Sequence, residues 1–437
     1  MSRIKIKNFG PIREGFVDND GWMDIEKVTV FIGDQGSGKS TVAKLISLFS
    51  WIEKSIARNT ISPKQLNVEI FKNLCLQQEI FEYFSDDTYL SFEGDAYDFE
   101  YDERKKSFKA KVNGSGNENY ILPKIQYVSA ARNLLTILYN ISLQQIPDKN
   151  GNIIDLSSNI PFMVKVLNFE YMKALEAFAQ NGFSLPVNDT SVYFQNHNTF
   201  IIAKGKRVAM ASASSGIQSI TPLLLVSHFL LNEVSKNIYE KVKTIDNNLK
   251  SRIEANFSEE SAELLEKFKQ VCVFGKGILT EKKDEILLDE KLKKFIPSFF
   301  INIVEEPEQN LFPTSQQKVI NSLLEYNNAV KENKLIITTH SPYIINYLML
   351  AIKASEIERK AKVNKDVKSK IYEIVPENAI THLKSVTIYE LNEVDGTITK
   401  LKQSSGLPSN EHYLNNLLGE TNILFSKLME IEDLCEE

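Results

Sequence analysis

Cysteine is scarce in this sequence. Its 437 residues include three cysteines, Cys75, Cys272 and Cys435, which lie far apart and form no C-x-x-C pair. Disulfide frameworks use even sets of cysteines at compact spacing, and zinc sites use closely spaced pairs. The sequence therefore implies neither, and its cysteine content is typical of a protein in the reducing cytosol.

Long apolar runs are missing as well. No stretch of 18 consecutive apolar residues occurs, and residues 1–6 do not begin an apolar segment of the kind found in signal peptides. A membrane-spanning helix needs about 20 predominantly apolar residues, and a signal peptide needs an apolar segment behind its first charges. We therefore expect a cytoplasmic protein that has no membrane partner.

Positive charge is not in excess. Lysine and arginine total 51 against 57 aspartates and glutamates, which gives a formal net charge of −6. This balance argues against a globally basic nucleic-acid-binding protein, although a local basic face is compatible with an acidic average. Contact with DNA therefore stays an open alternative.

The size of the chain sets the expected organisation. A chain of 437 residues, 43 % hydrophobic and 25 % charged, exceeds the usual size of a single hydrophobic core. We expect one large α/β domain with an inserted or appended subdomain.

The most informative stretch is residues 33–40, Gly-Asp-Gln-Gly-Ser-Gly-Lys-Ser, which fits the pattern G-x-x-x-x-G-K-[ST]. It lies between the apolar run 28–32 and the helix-like run 41–46, which is the strand-loop-helix context of a phosphate-binding loop. Its glycines let backbone N–H groups surround a phosphate, and the helix N-terminus adds favourable partial charge. An ordinary glycine-rich turn is the alternative, but the flanks match the motif closely. We predict a nucleotide-binding protein.

Two side chains of this loop have an expected role. Lys39 should contact the phosphates, and Ser40 Oγ should bind Mg²⁺, which keeps water and phosphate oxygens as its other ligands. The residues predicted here to bind nucleotide are Gly33, Gly36, Ser37, Gly38, Lys39, Ser40 and Thr41.

Small hydroxyl residues and a glycine precede a later apolar helix. Ser214, Ser215 and Gly216 come directly before the helical pattern of residues 220–234. Ser214 or Ser215 would cap this helix, and its first N–H groups could face an anion.

Acidic residues and a histidine end two predicted buried strands. Residues 299–304 form the first strand, which ends in Glu305 and Glu306, and the strand at 335–339 is followed by His340. Carboxylates at such a position are costly unless they face a cation, a proton-transfer partner or water. Taken singly, the glutamate pair could be structural, and a lone histidine is more often a hydrogen-bonded structural residue.

Two further regions are predicted from their patterns. Residues 236–294, rich in lysine and glutamate at helical spacing, indicate a solvated helix pair, which we interpret as an inserted helical subdomain. Residues 385–389 and 397–399 are predicted strands, and residues 410–434 a terminal helix.

The order of these features resembles the ABC-type ATPases of the SMC, RecF and OLD (overcoming lysogenization defect) group over about residues 3–350. The resemblance implies an α/β fold, an ABC/SMC-type ATPase head with a P-loop mixed sheet, an N-terminal antiparallel β lobe and an inserted helical subdomain. The implied divisions are residues 1–235 and 296–355 for the two parts of the head, 236–295 for the insert and 371–437 for a small C-terminal α+β tail.

The resemblance also implies roles for the residues that end each element. Ser214, Ser215 and Gly216 would match the signature motif, in which Ala213 replaces the usual leucine. Glu305 would position Mg²⁺ through water, because a glutamate, longer by one methylene, replaces the common aspartate.

Three catalytic residues follow from the same resemblance. Glu306 would orient or activate the attacking water, His340 would contact the γ-phosphate, and Lys39 would bind it. Arg132, which follows Tyr127-Val128-Ser129, lies where relatives often carry an arginine, and it would either sense nucleotide or form a salt bridge at a helix start.

The resemblance implies partners too. Two subunits would dimerise head to tail around ATP, or assemble further, so that the signature motif of one closes on the phosphate held by the other. After Pro376 no Asp-x-Asp of a TOPRIM nuclease occurs. The chain therefore resembles the ATPase subunits of the anti-phage systems PARIS and Septu, whose effector is a separate protein such as a TOPRIM or HNH nuclease. The alternative is a RecF-like ATPase that clamps duplex DNA.

Overall fold

The computed structural model describes residues 2–114, 120–136, 160–196, 198–257, 262–275, 279, 281–361, 364–404, 407–408, 412, 414–415 and 426–428. The strands are β1 (Arg3–Phe9), β2 (Gly15–Phe16), β3 (Met23–Asp24), β4 (Val28–Gly33), β5 (Phe84–Glu93), β6 (Tyr97–Asp102), β7 (Ser107–Val112), β8 (Pro123–Val128), β9 (Phe183–Leu185), β10 (Thr190–Gln195), β11 (Asn198–Ala203), β12 (Lys206–Ala209), β13 (Phe299–Glu305), β14 (Lys334–Thr339), β15 (Val386–Leu391), β16 (Thr397–Lys400), β17 (Gln403–Ser404) and β18 (Leu407–Pro408).

The helices are α1 (Lys39–Ala57), α2 (Val68–Gln77), α3 (Phe162–Ala177), α4 (Ser215–Ser235), α5 (Ile238–Thr244), α6 (Asn247–Glu254), α7 (Ala262–Phe274), α8 (Lys282–Lys293), α9 (Pro313–Asn328), α10 (Pro342–Ala361) and α11 (Lys365–Tyr372).

A seven-stranded mixed sheet forms the centre of the molecule, in the order β2-β16-β15-β4-β14-β13-β8. The five strands from β15 to β8 are parallel to one another, whereas β16 is antiparallel to β15. Since parallel neighbours end at the same edge, the residues that follow β4, β14, β13 and β8 lie along one edge of the sheet. All the motifs predicted from the sequence at strand ends therefore meet there.

Both faces of this sheet are covered, which explains why β4 and β13 are buried at every residue. Val28, Val30 and Ile32 of β4 point into a core shared with α3, α4, α9 and α10. Phe31, between them, points to the opposite face, into a core shared with α1 and the N-terminal strands. The alternation of strand side chains thus divides the apolar residues between two helical layers.

An antiparallel sheet in the order β3-β1-β5-β6-β7 covers the α1 side. Phe49 of α1 stacks against Phe71, Phe92 and Phe99, with ring centroids 5.3–5.9 Å apart. Such aromatic pairs bury large areas and fix the helix on the sheet. The predicted α/β fold with an N-terminal antiparallel β lobe is confirmed.

In the described residues of the charged stretch after α4 there are four helices, α5 to α8, where the sequence predicted a helix pair. Their apolar faces pack together around Phe268, Leu288 and Leu292, which are fully buried. The pattern of lysines and glutamates concealed this small core because each helix buries only one to three apolar residues in it.

The region assigned to a C-terminal tail contributes to the central sheet. The predicted strands are present, but β15 pairs in parallel with β4 over its whole length, from Val386 beside Val28 to Leu391 beside Gly33. The sequence of a hydrophobic strand without a motif does not indicate which strand it pairs with. The predicted terminal helix at 410–434 falls mostly outside the described residues.

Helix α4 is long and apolar enough to cross a membrane by length and composition alone. However, 72 % of its most apolar 18-residue window is buried inside the protein. This burial is what a central helix of an α/β core requires.

Candidate active site at the carboxyl edge of the central sheet

The predicted phosphate-binding loop connects β4 to α1. Gly33 and Gly38 have φ angles of 146° and 99°, in the region that favours glycine. A Cβ atom on Gly33 would lie 2.3 Å from the carbonyl oxygen of Leu391, so that β15 approaches the loop too closely for any other residue. Gly38 begins α1 without a side-chain cap, which leaves the first turn of the helix without a side-chain acceptor.

Lys39 is 5 % exposed, and its ammonium lies inside the loop. Nζ donates to the carbonyl oxygens of Gly33, at 3.0 Å, and Asp34, at 2.6 Å, and to Ser37 Oγ, at 3.3 Å. Burial lowers the pKa of Lys39 to about 8, against the opposing effect of nearby carboxylates, of which Glu306 is the strongest. The loop therefore holds a desolvated cation, which suits an anionic ligand.

The remaining loop residues differ in exposure. Ser40 and Gly36 are exposed, whereas Ser37 and Thr41 are buried. The Ser40 hydroxyl is thus accessible to a metal ion, and hydroxyl and carboxylate oxygens are the ligands that Mg²⁺ accepts. Within the described ranges, no three His, Cys, Asp or Glu side chains cluster as a metal site.

Glu305 ends β13 with its carboxylate buried against β8. Oε1 accepts a hydrogen bond of 2.6 Å from the Tyr127 hydroxyl, and Oε2 accepts one of 3.0 Å from the backbone N–H of Ala130. Each carboxylate oxygen has a second lone pair, so these bonds leave room for water bound to a metal ion. The donor set fits the predicted role of Glu305 in positioning Mg²⁺ through water.

Glu306 and His340 face each other from neighbouring strand ends. Glu306 Oε1 lies 3.6 Å from His340 Nε2, which is too long for a hydrogen bond, and both side chains are about one-third exposed. Burial lowers the pKa of His340, and the positive charge of Lys39 lowers it further. The imidazole is therefore neutral at pH 7 and can accept or donate one hydrogen bond.

The Glu306 backbone is unusual. Its φ angle is 44°, in the left-handed region that non-glycine residues seldom adopt. The Glu306 N–H donates to Thr338 O at 2.8 Å, and the Glu306 carbonyl accepts from Gln309 N at 3.0 Å. Strand β14 and the turn after Glu306 thus hold this residue in a conformation that places its side chain opposite His340.

Glu308 is a residue of the site to which sequence reasoning gave no role. Its Oε1 accepts hydrogen bonds of 2.8 Å from Thr339 Oγ1 and from the backbone N–H of His340. Burial raises the pKa of Glu308, and Oε2 is buried without a hydrogen-bond partner among the described residues. Glu308 therefore fixes the backbone that carries His340. Its place directly after Glu305-Glu306-Pro307 was the available signal.

Arg132 differs from both alternatives raised by the sequence. Its side chain is fully buried, and its hydrogen bonds go to backbone carbonyl oxygens at the ends of β8 and β13 and in α4. Among the residues that the structure describes it forms no salt bridge, and its full burial leaves no exposed group that could contact nucleotide directly.

The residues matched to the signature motif lie at the start of α4. Ser214 and Ser215 are exposed, and Ser214 makes no side-chain cap bond. A Cβ atom on Gly216 would lie 2.8 Å from the carbonyl oxygen of Asn310. The start of α4 is therefore packed on the loop that follows Glu306 in the same chain. Closure of this segment on a second copy stays a prediction.

The turn between β15 and β16 also reaches the site. Glu393 Oε1 lies 3.6 Å from the position of a Cβ atom on Gly36, and its charge opposes the lowering of the Lys39 pKa by burial. The sequence did not predict this proximity, because the pairing of β15 with β4 brings Glu393 to the loop.

Comparison with known proteins identifies one part of this site. Residues 286–345 match the family model described as AAA ATPase domain. The matched stretch contains Glu305, Glu306 and His340 but not the phosphate-binding loop. No match was found among curated proteins.

Similar solved structures include three SMC head domains. The SMC head domain from Thermotoga maritima is 10 % identical, with 92 % of this chain and 98 % of that chain covered and a TM-score of 0.33. The SMC head bound to the C-terminal winged-helix domain of ScpA is 9 % identical, with 92 % and 97 % covered and a TM-score of 0.37. The SMC head with an extended coiled coil bound to the C-terminal domain of ScpA, derived from Pyrococcus furiosus, is 10 % identical, with both chains covered fully and a TM-score of 0.37.

Proposed function

We propose that this chain binds and hydrolyses ATP. The observation that carries the proposal is the convergence of Lys39, Glu306 and His340 at one edge of the sheet, where the charge of Glu306 acts on Lys39 and the charge of Lys39 acts on His340. A buried cation in a glycine loop beside a carboxylate and a neutral imidazole is the set of groups that phosphoryl transfer uses for positioning and charge neutralisation. The match to the AAA ATPase domain over residues 286–345 supports the same chemistry.

Each side chain has a defined task in this proposal. Lys39 would exchange the carbonyl oxygens of Gly33 and Asp34 for phosphate oxygens, which compensate its charge better. Glu306 would orient the attacking water, and His340, as a neutral imidazole, would donate a hydrogen bond toward the transferred group. Mg²⁺, held through Ser40 and water near Glu305, would supply charge neutralisation on the phosphates.

We further propose that two copies pair head to tail around ATP. The exposure of Ser214 and Ser215 at the uncapped start of α4 supports this arrangement, because the N–H groups of a helix N-terminus attract phosphate. In the resemblance described above, this segment completes the nucleotide site of the opposite subunit.

The proposed consequence of ATP turnover is control of a separate effector protein, a TOPRIM or HNH nuclease, in anti-phage defence. The resemblance to the PARIS and Septu ATPase subunits supports this part. Purification of the chain together with the products of its neighbouring genes, with and without ATP, tests it. Strong, salt-sensitive binding of duplex DNA by the chain alone would instead favour the RecF-like alternative.

The hydrolysis itself is tested with two substitutions and matched controls. Lys39→Ala and Glu306→Gln should each reduce steady-state ATP hydrolysis to background, since they remove the phosphate contact and the water-orienting carboxylate. Lys109→Ala and Glu100→Gln make the same changes of side chain on the N-terminal sheet, where Lys109 and Glu100 pair with each other. These controls should hydrolyse ATP like the wild type. Unchanged turnover in both site variants contradicts the proposal.

A further inference from the structure

We infer that Arg132 is a positioning residue that connects the start of α4 to the backbone of Glu306. The inference rests on the proposed function, because it concerns the residue that would orient water for ATP hydrolysis. It assigns Arg132 a role through backbone carbonyls rather than through contact with nucleotide.

The contacts of the guanidinium carry the inference. Nη1 donates to Glu305 O at 2.6 Å and to Ser129 O at 3.3 Å, Nη2 donates to Glu306 O at 2.6 Å, and Nε donates to Ser219 O at 3.0 Å. Four of the five N–H bonds of a planar fork are therefore directed at carbonyls on three elements. A lysine has one ammonium and cannot reach all of them.

The environment keeps this buried side chain charged. Burial lowers the pKa of Arg132 only to about 10, because the nearby carboxylates of Glu308, Glu306 and Glu305 oppose the shift. The carboxylates that surround the site thus offset part of the desolvation of the guanidinium.

One end of the connection holds a strained residue. The left-handed backbone of Glu306 is energetically unfavourable for a residue with a side chain, and it persists only where its surroundings hold it in place. Its carbonyl receives the Arg132 bond and its N–H is bound to Thr338 O. Loss of the Arg132 bond would free the peptide that follows Glu306, and the carboxylate would lose its fixed direction.

At the other end of the connection, Arg132 binds α4 close to a break in the hydrogen bonds of the helix. Pro222 has no N–H, so the carbonyl of Gln218 lacks its usual partner one residue before the Arg132 contact at Ser219. A second bond joins the same two regions, from Ser219 Oγ to Gln309 Oε1 at 3.1 Å. The segment with Ser214 and Ser215 is therefore tied to the turn after Glu306 by two parallel links.

The first test substitutes Arg132→Lys, which keeps the charge and removes the fork. We expect kcat for ATP hydrolysis to fall by about 10- to 100-fold, the effect of a small misplacement of a reacting group. The Kd for a non-hydrolysable ATP analogue should stay within about threefold of wild type, a difference of less than 1 kcal/mol. Backbone amides in residues 306–311 should exchange hydrogen faster, a readout that needs no activity.

The matched control is Arg3→Lys. Arg3 forms a similar two-bond fork with Glu93, at 2.5 and 2.8 Å, on the N-terminal sheet. Its replacement should leave turnover and the exchange of residues 306–311 unchanged.

The parallel links give a second test. Ser219→Ala removes one link, and its combination with Arg132→Lys should lower kcat by more than the product of the single effects, since each link compensates for the other. If Arg132→Lys does not fold, Arg132→Gln, which keeps a planar donor group but cannot span the four carbonyls, takes its place. Unchanged turnover and exchange in that variant overturn the inference.

The outcomes separate this inference from the proposed function. Wild-type protein without ATPase activity would end the proposed function, and the exchange of residues 306–311 would still decide whether Arg132 holds that segment. Active Arg132→Lys protein with wild-type kcat overturns the inference alone. A parallel loss of kcat, analogue binding and thermal stability also overturns it, because a merely structural role would produce that pattern.

Discussion

Lys39 is a buried cation whose ammonium donates hydrogen bonds to acceptors of its own loop. Three acceptors surround Nζ, and burial brings its pKa near 8. A lysine whose pKa is lowered in the folded protein binds fewer protons than in the unfolded chain, so the unfolding free energy rises as the pH increases from about 8 to 10.5. Binding of an anion reverses the shift, because the ammonium gains a charged partner.

This residue gives the first prediction beyond the tests above. Between pH 7 and pH 9.5 the affinity for MgATP should fall by up to about 30-fold, because the unliganded Lys39 loses its proton around pH 8 and must recover it on binding. Calorimetric titration in two buffers of different ionisation enthalpy at pH 8.5 should detect proton uptake. An affinity that stays constant up to pH 9.5 contradicts the assignment of Lys39.

The sequence predicted those residues of the candidate site that are marked by their immediate neighbours in the chain. Lys39, Glu306 and His340 each follow an apolar run that reads as a buried strand, and parallel strands place such ends together. Glu308 and Arg132 could not be assigned, because their roles depend on atoms of neighbouring strands. The Arg132 contacts at Glu305 and Ser219 are main-chain atoms, which leave no pattern in the side chains.

Among the elements, α4 has an unusual beginning. A glycine in the first turn of a helix is normally replaceable by alanine, which has the higher helix propensity by about 1 kcal/mol. Here the space beside Gly216 is taken by the backbone of Asn310, so the close approach of helix and loop depends on the missing Cβ.

The second prediction concerns this approach. Gly216→Ala should destabilise the protein by about 1–3 kcal/mol, since a Cβ atom 2.8 Å from Asn310 O forces the helix and the loop apart. Ser215→Ala, at the exposed neighbouring position, should change stability by less than about 0.5 kcal/mol. Thermal unfolding of both variants measures the difference. A Gly216→Ala protein as stable as wild type shows that the contact is absent.

At the scale of elements, the sequence predicted whether a segment is a strand or a helix better than it predicted which strand lies beside it. The hairpin of β15 and β16 followed from alternating residues around Asp395 and Gly396, but its pairing with β4 did not. Val386, Ile388 and Leu391 would suit any apolar surface, and only the geometry of the sheet selects β4. The predicted division into a head and a tail therefore gave no sign that β15, in the tail, packs against Gly33 of the phosphate-binding loop.

For the whole molecule, the proposed pairing of two copies yields the third prediction. With ATP, Glu306→Gln should accumulate as a species of twice the chain mass, because nucleotide is bound and not hydrolysed. Lys39→Ala should stay at single mass. Ser215→Arg, which adds bulk and charge at the exposed start of α4, should bind ATP and also stay at single mass. Native mass measurement distinguishes these states, and an ATP-bound monomer of Glu306→Gln contradicts head-to-tail pairing.

The pairing of β15 with β4 has a consequence for how the chain is made. Residue 391, which lies against Gly33, leaves the ribosome long after the phosphate-binding loop, by about 20–70 s at ordinary rates of synthesis. Until then β15 cannot pair with β4, and the Leu391 backbone against which Gly33 packs has not been synthesised. The loop therefore reaches its final shape only after residue 391 has been synthesised, and a shorter nascent chain cannot bind nucleotide in the folded manner.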